Sequence, residues 1–188
     1  MLFELAQLVL PFAFLFFLIG SCVVIIFLIK SQSNGSPYVP TRAKLVHDIL
    51  KAAGLKKGMK MLEVGCGDGR LLIEAVKTYG VSGYGVDVND LVLQKAKWNA
   101  RGLSRAQLIF ENKNIRDIDI GAYDVVYVFL LPQHTKRYIE TWETQASPHT
   151  LFIMHAFTVK RWEKSLVKTL PGKPYDTYYY RLKKRKNS

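Results

Sequence analysis

The chain has 188 residues, a formal net charge of +12 and 49% hydrophobic residues, which excludes disorder by composition and argues for one globular domain. Its two cysteines exclude a disulfide framework, since Cys22 lies in an apolar run and Cys66 among glycines. The cationic surplus points to anionic partners, either lipid head groups or nucleic acid.

The first element is the run from Leu5 to Ile29, "LAQLVLPFAFLFFLIGSCVVIIFLI", which carries no charged side chain. At about 1.5 Å per residue it is long enough to cross a hydrocarbon layer of about 30 Å, and the spacing predicts one N-terminal transmembrane helix. A buried core helix of this kind would need cover on every side. A cleaved signal peptide is disfavoured by the missing basic n-region and by the length of the run. "IGSC" at Ile19–Cys22 faintly resembles a lipoprotein cleavage site, but Val23–Ile29 continues the apolar run past it. Glu4 precedes the run, and Lys30, Arg42 and Lys44 follow it, so the positive-inside rule puts the C-terminal part on the cytoplasmic side, or the matrix side in a mitochondrion. On that topology the Asn34–Ser36 sequon never meets the glycosylation machinery.

Residues 30–40 are expected to form a linker and substrate-side loop, followed by one domain over 41–182 and a basic tail over 183–188. Thr41 is a plausible N-cap for a helix through Ala53, with Leu45, Ile49 and Leu50 on one side and Gly54 as its stop. Short apolar runs then alternate with amphipathic ones. The pattern predicts strand Lys60–Val64, helix Arg70–Tyr79, strand Gly83–Val88, helix Asp90–Arg101 and strand Gln107–Phe110. Strand Asp124–Phe129, helix Gln133–Thr144 and strand Thr150–Ala156 follow. This is a βαβ series, hence an α/β, Rossmann-like and mostly parallel sheet with helices on both faces. "YDTYYYRL" near the end reads as a late edge or antiparallel strand.

The informative stretch is "EVGCGDGR" at Glu63–Arg70, directly after a predicted strand. Gly65 lets the chain leave the strand through a tight turn, Gly67 lets backbone approach a ligand, and Gly69 lets the next helix pack closely. A dinucleotide fingerprint would need glycine at position 70, which is Arg70, and no Walker Lys-Ser or Lys-Thr follows. Asp87 ends the next predicted strand, where a carboxylate can accept hydrogen bonds from both hydroxyls of a ribose. Glu63 could reach the amino-acid end of a cofactor, directly or through water.

Together these residues resemble the class I S-adenosylmethionine-dependent methyltransferases. Glu63 with Gly65-Cys66-Gly67-Asp68-Gly69 looks like their first motif, Asp87 like their ribose-binding acid, and "YDVVYVFLLP" at Tyr123–Pro132 like their fourth strand and the loop bordering the active site. The resemblance implies S-adenosyl-L-methionine as cofactor, bound by Glu63, Gly65, Cys66, Gly67, Gly69 and Asp87. A finer likeness is to the small membrane-anchored protein lysine methyltransferases related to the enzyme that modifies the ATP synthase c-subunit. Its marks are the hydrophobic N-terminus, the Pro37-Tyr38-Val39-Pro40 stretch and the Pro132-Gln133 pair. Asn114 departs from that pattern, standing where many relatives carry an acid near the adenine amino group, although its amide oxygen can still accept that hydrogen bond.

The likeness implies a lysine acceptor, and Tyr38, Thr41, Tyr127 and Gln133 are the candidates to line its pocket, with Asp124 structural. "FLLP" replaces the Asn-Pro-Pro-Tyr type of motif that presents an oxygen and a carbonyl to planar amines. No metal is expected, because His47, His134, His149 and His155 are scattered and read as ordinary surface or packing residues. The basic surface, "RLKKRKNS" above all, suits anionic lipid beside a membrane-protein substrate. No interleaving of arginine with aromatics marks a nucleic-acid platform. Two other readings stay open: a methyltransferase for a small molecule or lipid, and an inactive membrane-tethered interaction protein.

Overall fold

The computed structural model describes residues 2–33 and 40–182, with side chains over 10–25 and 40–182. Tyr38, the Asn34–Ser36 sequon and the tail 183–188 lie outside the described residues. The chain divides into two compact units, Met1–Pro37 and Tyr38–Ser188.

The first unit carries α1 (Leu2–Ser33), a helix that runs through Pro11. Over residues 10–25 its apolar side chains are exposed at successive positions, and therefore on every face, with Phe16 81% and Phe17 70% exposed. Among the described residues no helix is long and apolar enough to cross a membrane.

The second unit begins with α2 (Ala43–Ala53), which buries Val46, Ile49 and Leu50 and ends on Gly54 in the left-handed conformation. Thr41 is not its N-cap. The first helical bond runs from the Val46 N–H to the Arg42 carbonyl, so Arg42 occupies the cap position without a side-chain bond.

β1 (Lys60–Val64), α3 (Arg70–Tyr79), β2 (Ser82–Asp87), α4 (Asp90–Asn99), β3 (Leu108–Asn112), β4 (Val125–Val128) and β5 (Leu151–His155) follow the expected alternation, with ends shifted by up to two residues. The helix expected over Gln133–Thr144 is instead two pieces, α5 (Pro132–Thr135) and α6 (Ile139–Gln145). At the break the Thr135 hydroxyl donates to the Leu131 carbonyl, and the Tyr138 N–H closes a three-residue turn onto the Thr135 carbonyl.

Beyond β5 the chain adds β6 (Leu166–Leu170) and β7 (Thr177–Arg181), giving a seven-stranded sheet in the order β3-β2-β1-β4-β5-β7-β6. β1 to β5 are parallel, whereas β7 is antiparallel to both β5 and β6. "TYYYR" is thus antiparallel as expected but interior, and the edge belongs to β6. That strand is exposed at four of its five positions and shows no buried stripe to betray it.

One face of the sheet packs α2, α3 and α4 through Ile49, Leu50, Leu72 and Leu93 onto Met61, Val125, Tyr127 and Ile153. The other carries α6 and short 3-10 turns, where Trp142, Phe152 and Trp162 pack ring against ring. Strand order reverses between β1 and β4, each of whose neighbours lies to the opposite side. In open α/β sheets ligands bind outside the strand ends at this point.

Candidate active site

The glycine turn leaves β1 at this reversal. Gly65, Gly67 and Gly69 all have positive φ, at 72°, 52° and 73°. A Cβ at Gly65 would come within 2.8 Å of Leu130 Cδ2, and one at Gly69 would run into the Phe110 ring. These positions therefore demand glycine for close approach as well as for conformation. Cys66 lies between them with its thiol buried in the core, where burial pushes its pKa up and keeps it protonated. Only its backbone borders the turn, with its N–H donated to the Val86 carbonyl.

Asp87 ends β2 as expected and faces the turn. Its Oδ2 accepts the Gly67 N–H at 3.0 Å and its Oδ1 accepts the Asn89 N–H at 2.9 Å. Each carboxylate oxygen keeps a second lone pair, so Asp87 can shape the turn and still receive a ribose hydroxyl. Val88 beside it is 41% exposed, an apolar surface at the end of β2 that the sequence reading passed over.

Asp68 stiffens the turn from behind. The Arg70 guanidinium donates Nε to its Oδ1 at 2.9 Å and Nη2 to its Oδ2 at 2.7 Å, while Nη1 reaches the Thr41 carbonyl at 2.9 Å. Asn99 of α4 donates its amide to the Asp68 carbonyl.

At the reversal itself, Glu63 of β1 and Tyr127 of β4 are partners in register and therefore point to one face. They are 5% and 2% exposed. Glu63 Oε2 and the Tyr127 hydroxyl are the buried side-chain polar atoms without a hydrogen-bond partner among the described residues. A buried polar atom left alone costs about 1–3 kcal/mol, so two side by side mark a place where something else is meant to bind. Burial pushes the Glu63 carboxyl well above its usual range, the first-turn Leu72 N–H of α3 draws it partly back, and Asp68 and Asp87 add repulsion. Burial likewise raises the Tyr127 phenol, and the Thr41 side chain draws it partly back.

Alternation along the strands extends this face to their C-terminal ends, where Phe129 follows Tyr127 and His155 follows Ile153. The His155 ring lies edge-on to Phe129 at 4.6 Å, stacks on Tyr127 at 6.4 Å and meets Tyr175 edge-on at 6.1 Å. Its Nδ1 is 2.9 Å from the Thr177 hydroxyl, and burial lowers its pKa to about 4. Ala156, next along, has φ of 71°, the one non-glycine residue with positive φ among the described residues. Phe129, His155, Tyr175 and Thr177 were not among the residues expected at the site. The available signal was a histidine closing an otherwise apolar strand.

The remaining candidates stand apart from this cluster. Gln133 is exposed at the start of α5, with its amide nitrogen 3.5 Å from the His134 ring. Asn114 is exposed and caps a 3-10 turn, its Oδ1 accepting the Arg116 N–H at 3.1 Å. Asp124 accepts the Lys60 N–H and joins the starts of two strands. Among the described residues no group of His, Cys, Asp and Glu stands together as a metal site.

A family model described as the ANTKMT methyltransferase domain matches residues 63–166. A protein-lysine N-methyltransferase of Saccharolobus islandicus (strain REY15A) is 32% identical over 148 residues, spanning 76% of this chain and 91% of that relative. An RNA methyltransferase from Salinibacter ruber, solved with S-adenosyl-L-homocysteine, has the same fold at TM-score 0.73 and 26% identity, over 80% of this chain and 97% of that one. A methyltransferase from Thiobacillus denitrificans, also solved with S-adenosyl-L-homocysteine, shares the fold at TM-score 0.55 and 20% identity, over 74% and 60%. The chain belongs to the ANTKMT methyltransferase domain family and is an S-adenosylmethionine-dependent methyltransferase.

Proposed function

We propose that this enzyme methylates a lysine amine of a membrane or membrane-proximal protein. The observation that carries the site is the pair of unpartnered buried atoms, Glu63 Oε2 and the Tyr127 hydroxyl, at the strand-order reversal. These residues fit the cofactor: Glu63 answers the ammonium of its amino-acid end, the turn at Gly65, Gly67 and Gly69 gives it room, and Asp87 receives the ribose hydroxyls. Cys66 contributes backbone alone. Asn114 keeps a lone pair for the adenine amino group beyond the one that caps its own turn. Bound there, S-adenosylmethionine supplies a methyl carbon on a sulfonium, which an amine lone pair takes while the carbon–sulfur electron pair stays with sulfur.

Thr41 and Tyr127 border the acceptor, with Tyr38 and Gln133 as further candidates. The lysine reading is supported by the protein-lysine N-methyltransferase of Saccharolobus islandicus. The membrane reading is supported by the uncharged run Leu5–Ile29 and by the exposed apolar faces of α1, with the catalytic unit on the cytoplasmic or matrix side and its basic surface against anionic lipid.

An RNA acceptor is the second reading. The Salinibacter ruber RNA methyltransferase favours it, as does an exposed pair, Arg101 with its guanidinium 3.2 Å over the Trp98 ring, which the sequence reading did not find. Both readings are tested by incubating the full chain with radiolabelled S-adenosylmethionine and membranes or total RNA of the source organism. Label recovered as methyllysine from membrane protein is the expected result, and label confined to RNA overturns the proposal.

A further inference from the structure

We propose that Phe129, His155 and Tyr175, with the Tyr127 hydroxyl at their inner edge, form the acceptor wall of the site and admit the acceptor only as an uncharged amine. The inference rests on the lysine reading above and names the residues that enforce its chemistry.

The location comes from the sheet. Glu63, Tyr127 and Ile153 are consecutive partners across β1, β4 and β5, and His155 pairs with Thr177 of β7. Phe129 and His155 thus lie on the cofactor-facing side of the sheet, at the strand ends beside the reversal point. Tyr175 is brought there by the β6–β7 connection, in which the Gly172 N–H donates to Asp176 Oδ1 and the Ala156 N–H to the Asp176 carbonyl. It is 44% exposed, and so closes the cluster on the side open to an incoming chain. The positive φ of Ala156 sits at the junction, and strain of this kind gathers where a structure must aim neighbouring side chains.

The chemistry comes from what this wall lacks. His155 is 3% exposed and its ring is fixed by the Thr177 hydroxyl. Burial alone lowers its pKa, with no charged side chain contributing. The titratable groups facing it are the phenols of Tyr127 and Tyr175, and Glu63 lies farther along the same face. Among the described residues of this wall an entering ammonium meets rings and hydroxyls and no carboxylate, since Asp176 beside Tyr175 has its Oδ1 taken by the Gly172 N–H and Glu63 is engaged by the cofactor in the reading above. Attraction to the ring faces is weaker than the desolvation an unpaired ammonium must accept, and the donor's sulfonium repels it further. A neutral amine meets none of these penalties and can donate an N–H to the Tyr127 oxygen, leaving its lone pair for the methyl carbon. The wall selects the reactive form by excluding the other, and the proton leaves to solvent before entry.

His155 in this scheme is a positioning residue and not the proton acceptor, and that distinction can be measured. The full chain is assayed with radiolabelled S-adenosylmethionine and solubilised source membranes, counting methyllysine after hydrolysis, while cofactor affinity is followed by calorimetry. Tyr175→Ala is expected to raise the half-saturating membrane concentration about tenfold and leave the cofactor Kd within about twofold. His155→Gln, neutral and able to bond Thr177, is expected to keep at least about a third of wild-type kcat, whereas His155→Ala loses it. The wild-type kcat/KM is expected to climb from pH 6 to 9 without a bend near an ordinary histidine pKa of about 6.5. A bend there that vanishes in His155→Gln, or a Tyr175→Ala that leaves acceptor saturation unchanged, overturns the proposal. Wild-type protein that binds the cofactor but yields no methyllysine overturns the lysine reading itself, whatever the variants do.

Discussion

The two halves of the site are built from different materials. On the β1–α3–β2 side the turn is made of backbone, and charged groups such as Asp68, Arg70 and Asp87 hold it through short bonds to N–H groups and to one another. On the β4–β5–β7 side there is no glycine turn, and the surface is made of rings and hydroxyls that burial keeps uncharged. On the proposed reading a charged, polyfunctional cofactor is met by donors and carboxylates, whereas an amine that must lose its proton is met by rings and hydroxyls. Substitutions on the two sides should therefore fail in different ways.

The largest effect is expected on the backbone side. Gly67→Val places a branched side chain where φ is 52° and should weaken S-adenosylmethionine binding at least about a hundredfold by calorimetry. The far-UV spectrum should stay native. Unchanged affinity would show that the turn is not the cofactor's seat.

Glu63 joins the two sides, and its substitution should separate stability from binding. Its folded-state pKa is raised, so the folded protein holds a proton that the unfolded chain has lost above about pH 4.3, and stability falls as pH rises through that window. Glu63→Gln should flatten this fall and raise the melting temperature of the unliganded protein at pH 7 by a few degrees. The same change should weaken cofactor binding about tenfold, because a charge-assisted bond is lost. A variant that melts lower at pH 7 would mean the carboxylate is paired after all.

His155 supplies the smallest test, with the opposite sign. Its pKa is lowered to about 4, so its contribution to stability is fully present above the unfolded value near 6.5 and is lost as pH falls toward 4. Wild-type protein should lose stability across that interval from this group, and His155→Gln should not. Parallel denaturation curves for the two at pH 4.5 and 7 would remove the premise that the imidazole is held neutral.

The glycine turn was legible in the sequence because its geometry needs particular residues at fixed spacing. Gly65, Gly67 and Gly69 all stand at positive φ, and Asp87 closes the strand that follows. The ring cluster proposed to face the acceptor was not legible for the complementary reason. Phe129, His155 and Tyr175 come from three separate stretches and meet only through β-sheet register, and rings at strand ends read as ordinary packing. Tyr127 could be placed on its strand because that strand was legible. Thr41 was named for the pocket but misread as a cap, because serine and threonine before an apolar run signal a helix start whether or not the hydroxyl is used. β6 escaped because an exposed edge strand carries no alternation.

Ala156 gives the acceptor half a cost of its own. A left-handed backbone at a residue with a Cβ is disfavoured by about 1 kcal/mol or more, and glycine at that position would be free of it. The chain carries this burden at the junction where β5 turns toward the β6–β7 connection, so part of its thermal tolerance has been traded for the angle at which one strand ends.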